Sequence, residues 1–142
     1  MKTDNVSTLY AYDPGQTTGW ASFVLARSEK AAALSRWGEF DLWRGIDEQI
    51  GSELCQTVVY EKIVPRHPSF NPIGLEVIGA IRYLGELHSR VVVHQMNAQI
   101  HGVFKWETYD TLFKTIKSDH SKDAIAHGIV YLRKQGYTIE MP

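Results

Sequence analysis

The second half of the chain alternates between β-rich and helical segments, and this alternation limits the folds that the chain can adopt. A short, apolar, β-branched segment at residues 57–64 precedes a helical pattern at 73–87. A second β-rich run follows at 90–96, and a last helix is predicted at 119–135, ended by Gly136. Strands that alternate with helices usually pair in parallel, because each helix returns the chain to the same edge of the sheet. The pattern therefore predicts an α/β domain.

The first half is predicted to add antiparallel strands to that sheet. Residues 8–13 and 20–25 form a hairpin pattern around the turn residues Pro14, Gly15 and Gly19. A third strand is expected at 34–42, and a helix at 44–54. Three prolines exclude regular structure at 65–72, a short helix is expected at 97–104, and 105–117 has no clear pattern. We expect one domain, residues 1–142, with a mixed sheet and helices on both faces.

Composition narrows the classes of protein that the chain can belong to. With 142 residues it can bury a core without disulfides, and its single cysteine, Cys55, excludes both an intramolecular disulfide and a cysteine-rich zinc site. No signal peptide or membrane-spanning run is present, so a cytosolic protein is expected. The net charge of −1 is unusual for a nucleic-acid binder. A carboxylate site would lower the net charge, and bound metal ions would offset part of that negative charge locally.

Two carboxylates fall on strand faces that are otherwise apolar. Alternation puts Asp13 on the same face as Ala11, and Glu61 on the same face as Val59 and Ile63. A charge in so apolar a strand is costly unless it is paired or bound to a metal. If the two strands are neighbours, these side chains can lie close together.

A third carboxylate, Asp123, lies in the first turns of the last helix, for which either Ser118 or Asp119 is available as the N-cap. Each of the three also has an ordinary explanation: Asp13 as the first residue of an Asp-Pro-Gly turn, Glu61 as a solvated strand end beside Lys62, and Asp123 as a residue favoured by the helix dipole. Taken singly, these explanations are the more common ones. Taken together, the three carboxylates predict a site for divalent metal ions that hydrolyses nucleic-acid phosphodiesters.

Three motifs in this order resemble those of the RuvC family of Holliday-junction resolvases. They are Asp13-Pro-Gly-Gln-Thr-Thr-Gly-Trp-Ala, Val-Val-Tyr-Glu61 and His120-Ser-Lys-Asp123-Ala. The chain looks more like the compact members encoded by bacteriophages than the longer bacterial enzyme. The resemblance implies an RNase H-like fold with a five-stranded mixed sheet and helices on both sides. It also implies a homodimer that binds four-way DNA junctions and nicks two opposed strands, leaving a 5′ phosphate and a 3′ hydroxyl. A phage-encoded member would act in the host cytosol.

The resemblance also implies a catalytic and metal-binding set: Asp13, Glu61, His120 and Asp123. Two Mg²⁺ ions about 3.5–4 Å apart would activate water and stabilise the leaving oxygen, and an imidazole ligand makes Mn²⁺ a suitable substitute. Asp119 is a harder ligand and shares the helical face of Asp123, but the family motif places its residue three before the last aspartate, at His120. No nucleotide cofactor is expected.

The candidate DNA contacts are less well defined by the resemblance. Bacterial members carry an aromatic residue three positions after the strand glutamate, where this chain has Val64. Phe70 is a candidate to stack on a base instead, or else a hydrophobic staple for the next helix. The other candidates are cations that either hold phosphate or only solvate the surface: Arg66, His67, Lys105, Lys114, Lys117 and Lys122. Selectivity for four-way junctions over forks and flaps stays open.

The predicted helix at 73–87 has an apolar stripe that is broader than one sheet face requires. The stripe consists of Ile73, Val77, Ile81 and Leu84, widened by Leu75 and Ile78. It indicates either a helix packed on two sides or a dimer interface, and the resemblance favours the interface.

Three other functions compete with a junction resolvase. The Asp13-x-Gly-x-Thr-Thr-Gly pattern also resembles the phosphate-binding hairpin of sugar kinases and actin-like ATPases, but these need two such domains and 142 residues cannot supply them. A YqgF-like nuclease that processes ribosomal RNA lacks the Val-Val-Tyr-Glu61 context. A junction-binding protein without catalysis would gain nothing from carboxylates that face phosphates.

Overall fold

A computed structural model describes residues 5–63, 71–97 and 104–142, which build a six-stranded mixed sheet. The strands are β1 (Val6–Asp13), β2 (Thr17–Ala26), β3 (Ala31–Asp41), β4 (Cys55–Glu61), β5 (Val92–Met96) and β6 (Thr138–Glu140). They lie in the order β5-β4-β1-β2-β3-β6. The first three pair antiparallel, while β4 and β5 run parallel to β1 on one side, and β6 runs parallel to β3 on the other.

Helices cover both faces of this sheet, as predicted. They are α1 (Ile46–Ile50), α2 (Ile73–Leu87), a 3-10 helix (Trp106–Tyr109), α3 (Asp110–Phe113) and α4 (Asp119–Lys134). One core cluster joins α4, the 3-10 helix and α3 to one sheet face, and a second joins α1 and α2 to the other. None of the helices in these described ranges is long and apolar enough to cross a membrane.

Alternation along β1 divides its side chains between the two cores. Leu9 and Ala11 are fully buried in the cluster of α4, whereas Tyr10 and Tyr12 are buried in the cluster of α1 and α2. The Tyr12 hydroxyl donates a hydrogen bond of 2.7 Å to Gln49 of α1. Asp13, which follows on the alternation of Leu9 and Ala11, therefore lies on the α4 side, as its sequence position predicts.

The prediction of five strands is wrong by one. The additional strand, β6, is three residues long and pairs with the start of β3, where Ala31 is the partner of Thr138. Three residues are too few for a period-two pattern. The partner residues in β3, Ala31 to Ala33, are alanines, which have little intrinsic preference for strands. The pairing arises because α4 returns the chain to this edge of the sheet.

Several predicted boundaries also change. Strand β4 ends at Glu61, so Ile63 does not continue its face and packs instead against the cluster of α1 and α2. Helix α1 is five residues long and ends at Gly51. Residues 105–117, which had no clear pattern, contain the 3-10 helix and α3. The predicted loop at 65–72 and helix at 97–104 fall mostly outside the described residues.

Candidate active site

Two carboxylates end neighbouring strands at the same edge of the sheet. Strands β1 and β4 are parallel, with Tyr12 paired to Tyr60, and Asp13 and Glu61 are the next residue of each strand. Because Ala11 and Val59 both lie in the α4 core, the two carboxylates following them by two positions also lie on the α4 side. The predicted neighbourhood of these two strands is confirmed.

The first turn of α4 lies over this edge and is attached to β3. Ser118 is the N-cap: its hydroxyl accepts a hydrogen bond from the Ser121 backbone N–H at 3.1 Å and donates one to Glu39 at 2.5 Å. The Ser121 hydroxyl donates to the Gly38 carbonyl at 2.7 Å. These side-chain contacts fix the height and direction at which α4 begins.

Gly19 of β2 allows the helix to come this close. It pairs with Asp13 across the hairpin and with Glu39 on the other side, so it lies in the middle of the edge that α4 crosses. A Cβ atom at this position would overlap the carbonyl group of His120 and lie 2.7 Å from the Ser121 nitrogen. The sequence indicates Gly19 only as a turn residue, and its role in admitting α4 was not predicted.

The close approach brings His120 and Asp123 to the two strand-end carboxylates. Nδ1 of His120 lies 3.0 Å from Oδ2 of Asp13, a side chain that is 13% exposed. Burial raises the pKa of Asp13 to about 7; the hydrogen bond from His120 opposes this shift, whereas the charges of Glu61 and Asp123 and a hydrogen bond with Glu61 add to it. All four residues of the predicted set are therefore neighbours.

Asp119, the alternative to His120, points away from this group. Its side chain is 92% exposed, and it contacts Lys122 at 3.7 Å. It is the first residue of α4 and does not cap the helix, since Ser118 does so. The geometry therefore favours His120 over Asp119 as the fourth member of the set.

His127 is a further member of this neighbourhood that sequence reasoning did not assign to the site. Its side chain is fully buried, and its Nε2 lies 3.2 Å from Oε2 of Glu61. The only signal for it in the sequence is its spacing, four residues after Asp123 on the same helical face.

The chemistry of these donors fits a hard divalent cation. Three carboxylates and one imidazole form an oxygen-rich set. Burial and the charges of Glu61 and Asp123 raise the pKa of Asp13, and a bound cation would offset the repulsion among these charges. Within residues 5–63, 71–97 and 104–142, no three His, Cys, Asp or Glu side chains stand in a geometry that holds a metal ion. Asp13 is instead hydrogen-bonded to His120 and Glu61, so metal binding requires these side chains to separate slightly.

Four of the seven predicted DNA-contacting residues lie within the described ranges. Lys105, Lys114 and Lys117 are exposed, and Lys122 is partly buried. Arg66, His67 and Phe70 lie outside the described residues. Their roles at DNA stay predictions.

Comparison with solved structures identifies the fold. RuvC of T. thermophilus, solved in complex with a Holliday junction substrate, superposes with a TM-score of 0.63 over 92% of this chain and 96% of its own, at 13% identity. The fowlpox virus resolvase, solved with Holliday junction DNA, gives a TM-score of 0.62 over 89% of this chain and 99% of its own, at 18% identity. The fold is that of the RuvC resolvases.

This RuvC-like fold also occurs within larger proteins. The large terminase of a thermophilic bacteriophage superposes with a TM-score of 0.56 over 97% of this chain, at 12% identity, but only 42% of the terminase is covered. Sequence comparisons with protein-family models and with curated proteins give no match. The resemblance to RuvC that the motifs predict is thus confirmed in the fold, and the likeness to compact phage-encoded members stays a prediction.

Proposed function

We propose that this chain is a metal-dependent endonuclease that resolves Holliday junctions by paired nicking. The observation that carries the proposal is the convergence of Asp13, Glu61, His120 and Asp123 at one edge of a RuvC-like fold. Both resolvases that share the fold were solved with Holliday junctions. Three neighbouring carboxylates that are partly buried repel one another and are costly without a cation, whereas this arrangement suits a cation-dependent hydrolase.

The proposed roles follow from the position of each side chain. Asp13, Glu61, Asp123 and His120 would hold two Mg²⁺ ions, or Mn²⁺. When bound, such ions would supply an activated water and would stabilise the leaving 3′ oxygen, which would give a 5′ phosphate and a 3′ hydroxyl. Asp13 is central, because it contacts His120 directly and is influenced by both other carboxylates. The exposed lysines of the α3–α4 region are candidates to hold the DNA backbone.

Paired nicking requires two sites related by two-fold symmetry, so the proposal includes a homodimer. Most of the predicted stripe on α2 is core: Val77 and Ile81 are fully buried. The exposed apolar row on α2 is formed by Leu75 (41%), which belongs to the predicted stripe, together with Tyr83 (66%) and Leu87 (60%). These residues are spaced by multiples of four and share one helical face, and a Cβ at Gly79 in the same row would meet open space. This exposed row supports α2 as the dimer surface.

A cleavage assay tests the proposal directly. Labelled four-way, forked, flap and linear DNA are incubated with Mg²⁺, Mn²⁺ or EDTA, and the products are mapped on both strands. We expect symmetric nicks in the four-way junction with either metal and none with EDTA. Junction binding without cleavage in every metal would indicate a catalytically silent binding protein, and equal cleavage of linear DNA would exclude a structure-selective enzyme.

A further inference from the structure

His127 is buried in a way that an ordinary core residue would not be. Its side chain has no exposed surface, and neither ring nitrogen has a hydrogen-bond partner among the described residues. Its neighbours along α4 are apolar, and Ile125 and Ile129 are fully buried beside it. An imidazole without partners costs roughly 1–3 kcal/mol relative to a residue that needs none. A leucine would therefore fill this position more favourably unless the ring has a task.

The candidate partner is the carboxylate of Glu61. Nε2 of His127 lies 3.2 Å from Oε2 of Glu61, but the N–H direction does not meet the geometry of a hydrogen bond. A small rotation of either side chain would correct the angle. Glu61 is the last residue of β4, its side chain is 18% exposed, and the exposed Lys62 follows it.

We propose that His127 is a positioning residue for Glu61, an inference that rests on the proposed metal-dependent function. The imidazole donates its Nε2–H to Oε2 of Glu61 and leaves the other carboxylate oxygen directed to the site shared with Asp13. Ligating carboxylates act well only when an outer partner restricts their rotation, and loss of such partners commonly costs about 10–100-fold in affinity or activity. Helix α4 thereby contributes three residues to the site: His120 contacts Asp13, Asp123 is a proposed ligand, and His127 contacts Glu61.

The position of His127 on the sheet supports this role. Val59, two residues before Glu61, pairs with His94 of β5, and the His94 ring contacts Tyr131, one helical turn after His127. Glu61 itself pairs with Met96, which packs in the α4 core. The Glu61 carboxylate is therefore flanked on the β5 side by the apolar Met96, and His127 supplies an N–H that can reach it.

Divalent-metal binding by the DNA-free protein tests the inference without relying on cleavage. Isothermal titration with Mg²⁺ and Mn²⁺ is compared for the wild type, His127→Leu, His127→Gln and the control His94→Gln. We expect His127→Leu to weaken metal binding about 10–100-fold while its melting temperature in EDTA is unchanged or higher. His127→Gln, whose amide can still donate to Glu61, should recover part of the affinity, and His94→Gln should bind metal normally.

Kinetics and spectroscopy separate positioning from the alternatives. On four-way DNA, His127→Leu should lower kcat about 10–100-fold with little change in KM. Equal metal affinity of His127→Leu and wild type would overturn the inference. A second result would also overturn it. If Mn²⁺ bound to the His120→Asp variant shows a ¹⁴N coupling, and this coupling disappears when His127→Gln is added, then His127 is itself a metal ligand. A wild type that binds metal but cuts no DNA would reject the proposed function alone, whereas one that binds no metal would reject both.

Discussion

Gly19 lies directly beneath the backbone of His120, so close that a Cβ atom on residue 19 would overlap the His120 carbonyl group. The pairing of Gly19 with Asp13 in the β1–β2 hairpin makes this contact important for the site. The first turn of α4 rests on a residue that has no side chain, and His120 thereby reaches Asp13 at 3.0 Å. The distance between the helix and the sheet determines the distance between the proposed ligands.

Gly19→Ala should therefore impair the site through the backbone. The added methyl group forces α4 away from β2, and overpacking of this kind costs roughly 1–3 kcal/mol. We expect a lower melting temperature and a loss of cleavage that is larger than the loss of folded protein. Circular dichroism and single-turnover cleavage, both well below the melting temperature, measure the two effects. Cleavage at the wild-type rate per folded molecule would mean that the helix can move without disturbing the site.

Asp13→Asn, Glu61→Gln and Asp123→Asn should each reduce cleavage by more than about 100-fold while junction binding survives. The amides keep the shape of the side chains and remove the charge that metal binding needs. Cleavage and gel-shift assays on four-way DNA measure the two properties separately. Asp47→Asn, at an exposed position in the first turn of α1, is the matched control. Near-normal cleavage by any one of the three variants would remove that residue from the proposed set.

The pKa of Asp13, raised to about 7 by burial and by its neighbours, makes the stability of the metal-free protein depend on pH. The folded state retains a proton that the unfolded chain has released, so the stabilisation is complete below about pH 4 and is lost as pH rises through about 7. Between pH 5 and pH 8 in EDTA, the melting temperature of the wild type should fall more than that of Asp13→Asn.

Mg²⁺ should reverse this loss, and its stabilising effect should be larger at pH 8 than at pH 5.5, because protons and metal compete for Asp13. Differential scanning calorimetry with and without Mg²⁺ measures both slopes. Parallel pH profiles for wild type and Asp13→Asn would contradict the raised pKa.

His120 and Asp119 should differ sharply in their effects on cleavage. We expect His120→Ala to eliminate cleavage nearly completely and His120→Asp, which keeps a metal ligand, to retain much of it. Asp119→Ala should have little effect on cleavage, because the Asp119 side chain is 92% exposed and its contact at 3.7 Å is with Lys122. Loss of cleavage in Asp119→Ala together with normal cleavage in His120→Ala would exchange the two roles.

Because Ser118 is the N-cap of α4, we expect a substitution of Ser118, and not of Asp119, to lower the stability of the folded protein. The sequence is compatible with either residue as the cap of α4, and the cap in the structure is Ser118. Ser118→Ala should lower the free energy of unfolding by about 1 kcal/mol, since it removes the capping bond to Ser121 as well as the contact with Glu39. Asp119→Ala is the matched control, and urea denaturation of both variants measures the difference.

Tyr83→Glu should convert the proposed dimer into a monomer. Tyr83 is 66% exposed in the row that it shares with Leu75 and Leu87, and a buried unpaired charge there would oppose association. Light scattering at micromolar concentrations measures the mass. Leu54→Glu, at an apolar residue that is 52% exposed outside α2, should leave the mass unchanged. A wild type that is monomeric and still nicks both strands would exclude the dimer.

Local patterns were sufficient for much of the fold and for the main carboxylates. Alternation in β1 and β4 correctly placed Asp13 and Glu61 on one face, and the apolar spacing of residues 73–87 correctly predicted α2. Where the pattern was short or ambiguous the prediction failed. The pattern misses the three residues of β6 and predicts α1 too long. In the apolar stripe of α2, Val77, Ile78 and Ile81 are core residues, and the dimer stays a prediction.

The sequence by itself determined which residues are candidates for the site. Strand periodicity places Asp13 with Ala11 and Glu61 with Val59, because strand geometry relates near neighbours in the chain, and the order of the motifs adds Asp123 as a candidate. Only the tertiary structure decided how they meet. The contact of Gly19 with His120 and that of His127 with Glu61 join residues that are far apart in the chain. Such contacts depend on how closely α4 packs on the sheet, which is set by the whole core.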